Sequence, residues 1–565
     1  MNLSNVVSVV PNYRRKNAAS KLPFRVLIPD DTSTLEELIS TNFKNTDGIV
    51  LFLNVGSSIR LISKLLSSKT KDPAVICVDE GSNFVVSLIG GHSKNVSANW
   101  LTKFVANLLD ATPVVTTASD VSKRPAIELF RGFMAEGEIK KLSLQNKYLS
   151  DLTVSTQLDW IVPPQLSRTS DERADLIVSD IASDNSHTGK VILRPKSLVV
   201  GVGLSTQATF EELLELVVST FEKFNLSLNS IGTIATIDKR ANHENYLRLV
   251  NHFDAASVSI TAETLNKIDV PNPSDDVLNH VGTVSVAEAA AIYASQSTLI
   301  ATKHKTNNAT VAIARNRKPK GTLNIVGIGP GSVSNMTFSA VDVINHASVI
   351  VGFNDYIDYI DTLLDSNQVV ERFEIGKEIE RVLRAIDYAL SGHNVALVSS
   401  GDAGVFAMAS LAFEELGKLN SIDAININVV PGITASLSAA SLLGAPLGHD
   451  HVLLSLSDLH TDFELIKKRA KLASESDFVM ALYNPSSKQR SRQFIEVLDI
   501  IKMHKPLSTL VGVVTDAYRK DQNVKITTLS EIDENDVTMK TLLIIGNKET
   551  KLIGQFMVTP RGYKI

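Results

Sequence analysis

At 565 residues, 44% hydrophobic and 21% charged, the chain holds enough apolar mass for full cores and is too long for one domain. A formal net charge of -5 excludes the basic footprint of a nucleic-acid binder and does not favour an anionic membrane surface. The single cysteine, Cys77, excludes an intrachain disulfide framework and a cysteine metal cluster and fits a reducing cytoplasm. No apolar run reaches the length of a membrane span.

Residues 1–22 carry basic side chains but no apolar core followed by a small-residue cleavage site, and read as a flexible tail. Strand-like runs follow at Phe24–Asp30, Asp47–Leu53, Ala74–Asp79 and Thr112–Thr117, separated by helical patterns near Leu35–Ser40 and Ile59–Leu66. That alternation predicts a parallel α/β sheet over 23–123. Residues 124–196 are less regular and read as an insert or linker region. A second α/β module covers 197–315, with strands at Ser197–Gly203, Ser230–Ile237 and Ala309–Ala314 and helices at Phe210–Phe224 and Val284–Ala294. Asn316-Arg-Lys-Pro-Lys-Gly321 is a basic joint containing Pro and Gly. From 322 to 555 strand and helix alternate again. The fold class is multi-domain α/β.

In this last region four marked turns follow strands: Gly327-Ile-Gly-Pro-Gly331, Ser399-Ser-Gly-Asp-Ala-Gly404, Val429-Val-Pro-Gly-Ile-Thr-Ala-Ser436 and Ala481-Leu-Tyr-Asn-Pro485. The first is a poor dinucleotide fingerprint. It lacks the third glycine, Pro330 removes a backbone donor, and the next strand ends in Gly352 instead of an acidic residue. On residues alone it is either a ligand loop or a tight turn. Asp402 at a strand end is likewise either a ligand group or a helix cap.

Taken together, in this order, these turns resemble the tetrapyrrole (class III) methyltransferases over about Thr322–Thr550. Leu443-Gly-Ala-Pro-Leu-Gly-His449, Leu454-Ser-Leu-Ser-Asp-Leu459 and Ala481-Leu-Tyr-Asn-Pro-Ser486 narrow the resemblance to the precorrin-3B (cobalt-factor III) C(17)-methyltransferase branch. Phe406-Ala407 departs from the Tyr-Gly more often seen in the family, and keeps an aromatic wall. The resemblance implies two α/β lobes clasping S-adenosyl-L-methionine. Gly401, Asp402, Val405 and Phe406 would line the cofactor, Thr434, Ala435, Tyr483, Asn484 and Ala517 would complete the pocket, and Pro330 would face the substrate side. It also implies a homodimer through this domain. Methyl transfer itself needs mainly proximity and alignment, worth roughly 7–11 kcal/mol in good cases. The accompanying ring contraction and lactone closure need proton transfers, for which His449 and Asp458 are candidates; His449 is equally readable as a loop residue.

The N-terminal half has no Gly-x-Ser-x-Gly elbow and no His-Glu-x-x-His motif. It offers Gly90-Gly-His92, Ala98-Asn99, Pro113-Val-Val-Thr-Thr-Ala-Ser-Asp120, Thr236-Ile-Asp-Lys239, Val270-Pro-Asn-Pro-Ser274 and Val281-Gly-Thr-Val-Ser-Val-Ala-Glu-Ala289. This set resembles cobalt-precorrin-5A hydrolase over about Arg25–Asp120 and Leu198–Arg315. The loop Gly91-His-Ser-Lys-Asn-Val-Ser-Ala-Asn99 departs from the family's Gly-His-Ile-Gly-Gly-Ala-Asn. The implied reaction opens a δ-lactone and releases a two-carbon aldehyde, which requires a base, an oxyanion stabiliser and an acid. His92 is the candidate base, or a turn histidine; Asp238 with Lys239 is a candidate polar pair, or a solvated turn. No metal-binding residues are identified, so cobalt is expected only as part of the tetrapyrrole substrate. The expected function is therefore bifunctional cobalamin biosynthesis. The alternative is a methyltransferase for another ring position, with a non-catalytic tetrapyrrole-binding module in front of it.

Overall fold

The computed structural model describes residues 5–67, 72–91, 96–116, 127, 130, 132–139, 142, 152–156, 158–170, 173–182, 189–365, 367–485 and 491–563. The first sheet contains β1 (Val6–Val9), β2 (Arg25–Leu27), β3 (Gly48–Leu51), β4 (Ala74–Val78), β5 (Phe84–Ile89) and β6 (Thr112–Val114), in the order β2-β1-β3-β4-β5-β6. β1 corrects the expected tail over 1–22. Its four residues are all buried, and it pairs in parallel with both β2 and β3. Val-Val-Ser-Val is a short β-branched run, and β-branched side chains pack well on a pleated, buried surface. The sheet is not wholly parallel, since β4 and β5 run antiparallel.

The region expected to be an insert forms a sheet of its own. It comprises β7 (Phe133–Gly137), β8 (Thr153–Thr156), β9 (Ser167–Arg168), β10 (Leu176–Val178) and β11 (Val191–Pro195), ordered β7-β11-β10-β8-β9. Val154, Trp160, Leu176, Val178, Val191 and Leu193 give it a separate core. Its strands are short and β8 is partly polar, which hid them from a periodicity argument.

The third sheet holds β12 (Leu198–Leu204), β13 (Ile231–Ile237), β14 (Ala256–Ile260), β15 (Leu299–Lys305) and β16 (Ala309–Arg315), ordered β14-β13-β12-β16-β15, with β16 antiparallel to both neighbours. It is joined to the second sheet by an ion pair between a buried carboxylate and a partly exposed arginine. Asp180, fully buried, accepts from Arg315 Nε at 2.7 Å and Nη2 at 2.9 Å, and from the Ser197 hydroxyl at 2.8 Å.

The C-terminal half has two lobes. Lobe one is an all-parallel sheet of β17 (Thr322–Gly327), β18 (Val349–Phe353), β19 (Val369–Phe373), β20 (Asn394–Ser399) and β21 (Asn426–Val430), ordered β19-β18-β20-β17-β21. β17 lies in the interior of this sheet, so its one polar interior residue needs partners. Asn324 finds them on both sides, donating to Asn394 Oδ1 at 2.8 Å and the Val395 carbonyl at 3.0 Å and accepting from Asn428 at 3.0 Å. A small sheet is made by β22 (Gly444–Ala445) with two late strands. Lobe two contains β23 (His451–Ser455), β24 (Val479–Tyr483), β25 (Leu510–Thr515), β26 (Asn523–Thr528) and β27 (Thr541–Ile545), ordered β23-β24-β27-β25-β26 and mixed in direction. β28 (Lys551–Ile553) and β29 (Phe556–Val558) complete the small sheet, carrying the fold past the expected limit at 555.

The two halves share a core. Trp100 and Phe104, on the Ala98–Leu109 helix, stack with ring centroids 5.0 Å apart and belong to one buried cluster with Val333, Ile344 and Leu363 of lobe one. Lys103 Nζ on the same helix lies 3.5 Å from the Leu364 carbonyl oxygen. Among the described residues no helix is long and apolar enough to cross a membrane.

Candidate active site

Ligands of parallel α/β sheets bind beyond the carboxyl ends of the strands. At that edge of lobe one, the loops after β17, β20 and β21 converge. Gly329 and Gly401 exchange backbone hydrogen bonds at 3.0 and 2.8 Å. Gly401 takes φ +70, a left-handed conformation open to glycine at no steric cost. A Cβ on Gly327 would sit 2.7 Å from the Gly401 carbonyl oxygen, 2.8 Å from the Gly432 nitrogen and 2.9 Å from the Ala403 nitrogen, so the three loops meet only because this residue has no side chain. Asp402 ties the loops together. One carboxylate oxygen accepts from the Gly404 N–H at 2.8 Å, the other from the Gly432 N–H at 3.1 Å. The carboxylate is thus engaged within the loops rather than in capping the Met408–Lys418 helix, whose N-cap makes no side-chain bond.

Lobe two reaches into this junction through Tyr483. Thr434 is the N-cap of the Ala435–Leu443 helix, yet its hydroxyl makes no capping bond. It lies instead 2.7 Å from the Tyr483 hydroxyl, which also accepts from the Ser436 N–H at 2.9 Å. The phenol therefore takes over the capping of the first turn. Phe406, 54% exposed and at φ +52, presents its ring to Tyr483 with centroids 5.1 Å apart at 61°. Val405, Ala435 and Ala517 pack around the same cluster. Asn484 is exposed at φ +50 and donates to the Ser455 hydroxyl at 3.1 Å. Pro330, buried, follows Gly329 in the first of the three loops. Gly401, Asp402, Val405, Phe406, Thr434, Ala435, Tyr483 and Ala517 thus share this junction of the three loops with lobe two, Asn484 follows Tyr483, and Pro330 follows Gly329.

Sequence reasoning missed Arg519, in the loop between β25 and β26. Its Nε donates to the Pro330 carbonyl at 2.6 Å, and Nη2 lies 3.1 Å from the Ser400 hydroxyl. The only local signal was an arginine two residues beyond Ala517. His449 is half exposed, and its Nδ1 accepts the neighbouring Asp450 N–H at 2.8 Å. Asp458 accepts from the Gln493 side chain at 3.1 Å.

In the N-terminal half, His92 lies outside the described residues, as do Thr117 and Asp120. Asp238 and Lys239 follow β13 and do not pair as side chains. Asp238 Oδ1 accepts the Lys239 N–H at 2.7 Å, while Lys239 Nζ donates to the Val281 carbonyl at 3.1 Å. That bond joins two of the motifs singled out in sequence. A third is joined by Glu288, fully buried, which accepts from Asn272 N–H at 3.0 Å, Asn272 Nδ2 at 2.8 Å and the Lys303 N–H at 2.9 Å. No group of three or more His, Cys, Asp or Glu able to hold a metal occurs among the described residues.

Family models match three segments: tetrapyrrole (corrin/porphyrin) methylases over 322–533, the cobalamin synthesis G C-terminus over 198–314, and the cobalamin synthesis G N-terminal domain over 37–120. A probable cobalt-factor III C(17)-methyltransferase of Salmonella typhimurium is 43% identical over 43% of this chain and 100% of its own length. A precorrin-3B C(17)-methyltransferase of a Sinorhizobium species is 37% identical over 43% of this chain and 97% of its own. Among solved structures, the methyltransferase CobJ is 34% identical, covers 42% of this chain and 100% of its own, and aligns with a TM-score of 0.41. The chain belongs to the tetrapyrrole methylases, and it carries in front of that enzyme the two domains of the cobalamin synthesis G proteins.

Proposed function

We propose that the C-terminal half transfers a methyl group from S-adenosyl-L-methionine to C17 of cobalt-factor III or precorrin-3B, with contraction of the ring. The N-terminal half opens the δ-lactone of cobalt-precorrin-5A and releases acetaldehyde. The observation that carries the reading is the convergence of the Gly327–Gly331, Gly401–Gly404 and Gly432–Ala435 loops, with Tyr483 of lobe two locked onto the last of them. The junction suits an adenosyl sulfonium. It is a backbone-lined cradle with an aromatic wall at Phe406 and, beside it, a buried Ser399 hydroxyl with no hydrogen-bond partner among the described residues. The bound donor supplies an electrophilic methyl on sulfur. Gly401, Asp402, Val405, Phe406, Thr434, Ala435, Tyr483, Asn484 and Ala517 hold and orient it, and the Pro330 loop borders the ring. Alignment of the two reactants then carries most of the rate. His449 and Asp458 move protons during contraction and lactone closure; His92 and Asp238 serve lactone opening in the other half. Cobalt enters with the substrate, and the chain works as a homodimer through its methyltransferase half.

The test is a mass spectrum after anaerobic incubation of the full chain with cobalt-factor III, S-adenosylmethionine and a separate C(11)-methyltransferase. Gain of both methyl groups followed by loss of a two-carbon fragment is expected. Methylation without that loss would make the N-terminal half a tetrapyrrole carrier. No methylation despite cofactor binding would refute the substrate.

A further inference from the structure

We infer that Arg519 is a positioning residue for methyl transfer: it locks lobe two onto the two catalytic-edge loops of lobe one and so sets the distance between methyl donor and acceptor. The inference rests on the methyltransferase reading above.

Arg519 belongs to lobe two, but most of its side-chain contacts lie in lobe one. Nε donates to the Pro330 carbonyl at 2.6 Å, in the loop bordering the substrate side. Nη2 lies 3.1 Å from the hydroxyl of Ser400, adjacent to the cofactor residues Gly401 and Asp402. Its guanidinium carbon sits 4.3 Å from the centroid of the Tyr359 ring, on the helix that follows β18. Within its own loop, Nη1 pairs with Asp516 at 3.1 Å. The planar fork of an arginine serves several fixed acceptors and a stacked ring at once, which a lysine ammonium cannot do. The side chain is one-fifth exposed, so these bonds are largely shielded from water.

The backbone beneath it is strained. Asp516 and Tyr518 take φ +49 and +59, in the left-handed region that favours glycine. Strain of this kind persists where the surroundings over-determine it, and it concentrates at functional sites. Here it is held by the Arg519 N–H to the Asp516 carbonyl at 3.0 Å and the Tyr518 N–H to Gln522 Oε1 at 2.8 Å. The loop thereby aims Arg519 across the cleft.

This contact is separate from the second interlobe lock. Tyr483 holds Thr434 and Ser436 on the cofactor side, and none of those bonds involves Arg519. Loss of Arg519 therefore loosens the β25–β26 loop of lobe two against the Pro330 and Ser400 loops, which stay joined through Gly329 and Gly401, while the Thr434–Tyr483 wall stays in place. Misplacement of reacting groups by about 1 Å costs on the order of 100-fold in rate. The expected signature is a fall in kcat without a matching fall in cofactor affinity.

The experiment uses the full chain. Methylation of cobalt-factor III is measured for wild type, Arg519→Ala and Arg519→Lys, with S-adenosylhomocysteine affinity measured by calorimetry and thermal unfolding run alongside. The expected result is a drop in kcat of about 10- to 100-fold in Arg519→Ala, with affinity for S-adenosylhomocysteine within about threefold of wild type and Arg519→Lys in between. If the alanine variant does not fold, the same split is read from Arg519→Lys and Ser400→Ala. A kcat within about twofold of wild type, or rate and affinity falling in proportion, would overturn the inference. A wild type that binds S-adenosylhomocysteine but methylates nothing would overturn the substrate reading itself, and this inference with it.

Discussion

Replacing Tyr483 by Phe removes one oxygen from the best-defined polar junction of the cleft, and the consequence can be worked from the geometry. The hydroxyl accepts from the Ser436 N–H at 2.9 Å and contacts the Thr434 hydroxyl at 2.7 Å. Ser436 is 2% exposed, so its N–H has no route to water once the phenol oxygen is gone. A buried donor left unpaired costs about 1–3 kcal/mol. The Thr434 hydroxyl is free to turn toward the N–H groups it would normally cap, which recovers part of a cap worth roughly 0.5–2 kcal/mol. The net loss should be about 1–2 kcal/mol. Because Thr434 and Ala435 are proposed to touch the cofactor, its Kd should rise by up to about tenfold, equivalent to about 1.4 kcal/mol. The assay is urea unfolding of the full chain with and without S-adenosylhomocysteine. The transition that the ligand displaces belongs to the methyltransferase half, and that transition is the one to compare. A variant whose ligand-sensitive transition and Kd both match wild type would show that the hydroxyl does not cap this helix.

Gly327→Ala should abolish S-adenosylhomocysteine binding in calorimetry while circular dichroism stays near wild type, because the new methyl overlaps three loop backbones at once. Arg315→Leu strands the buried Asp180 carboxylate. Breaking a buried pair costs roughly 3–5 kcal/mol, and the partial exposure of Arg315 places this case at the low end; proteolysis between the second and third sheets should accelerate. Burial, reinforced by Lys318, lowers the His393 pKa to about 4, below its value in the unfolded chain. The unfolded state therefore takes up the proton first as pH falls. The stabilisation is complete above about pH 6.5 and is lost down to about pH 4, with a slope of at most about 1.4 kcal/mol per pH unit. Urea midpoints of His393→Leu should lack that component, and parallel curves for variant and wild type would refute it.

Much of the architecture is written locally. Strand–helix alternation, the Gly-Ile-Gly-Pro-Gly turn and the left-handed glycine before Asp402 all follow from steric preferences that act over a few residues. The expected cofactor-side residues came from the order and combination of four turns, each of them ambiguous by itself, and Ala517 lies in none of those turns. The second sheet was not legible. Its strands are three to five residues long, apart from a two-residue edge, too short for periodicity to separate them from loop.

Other features were decided only by tertiary structure. β1 is a buried interior strand because β2 and β3 flank it, and a strand's position in a sheet is not encoded in its own side chains. Pro330 and Arg519 are 189 residues apart, and no short-range preference links them. They meet because strand order brings the carboxyl edge of lobe one against a loop of lobe two. Glu288 reads in sequence as one acidic residue on an alanine-rich helix; only the fold wraps Asn272 and Lys303 around it. Local sterics set where turns and the longer helices fall, while the pairing of distant segments decides which short runs become strands and which turns share a site.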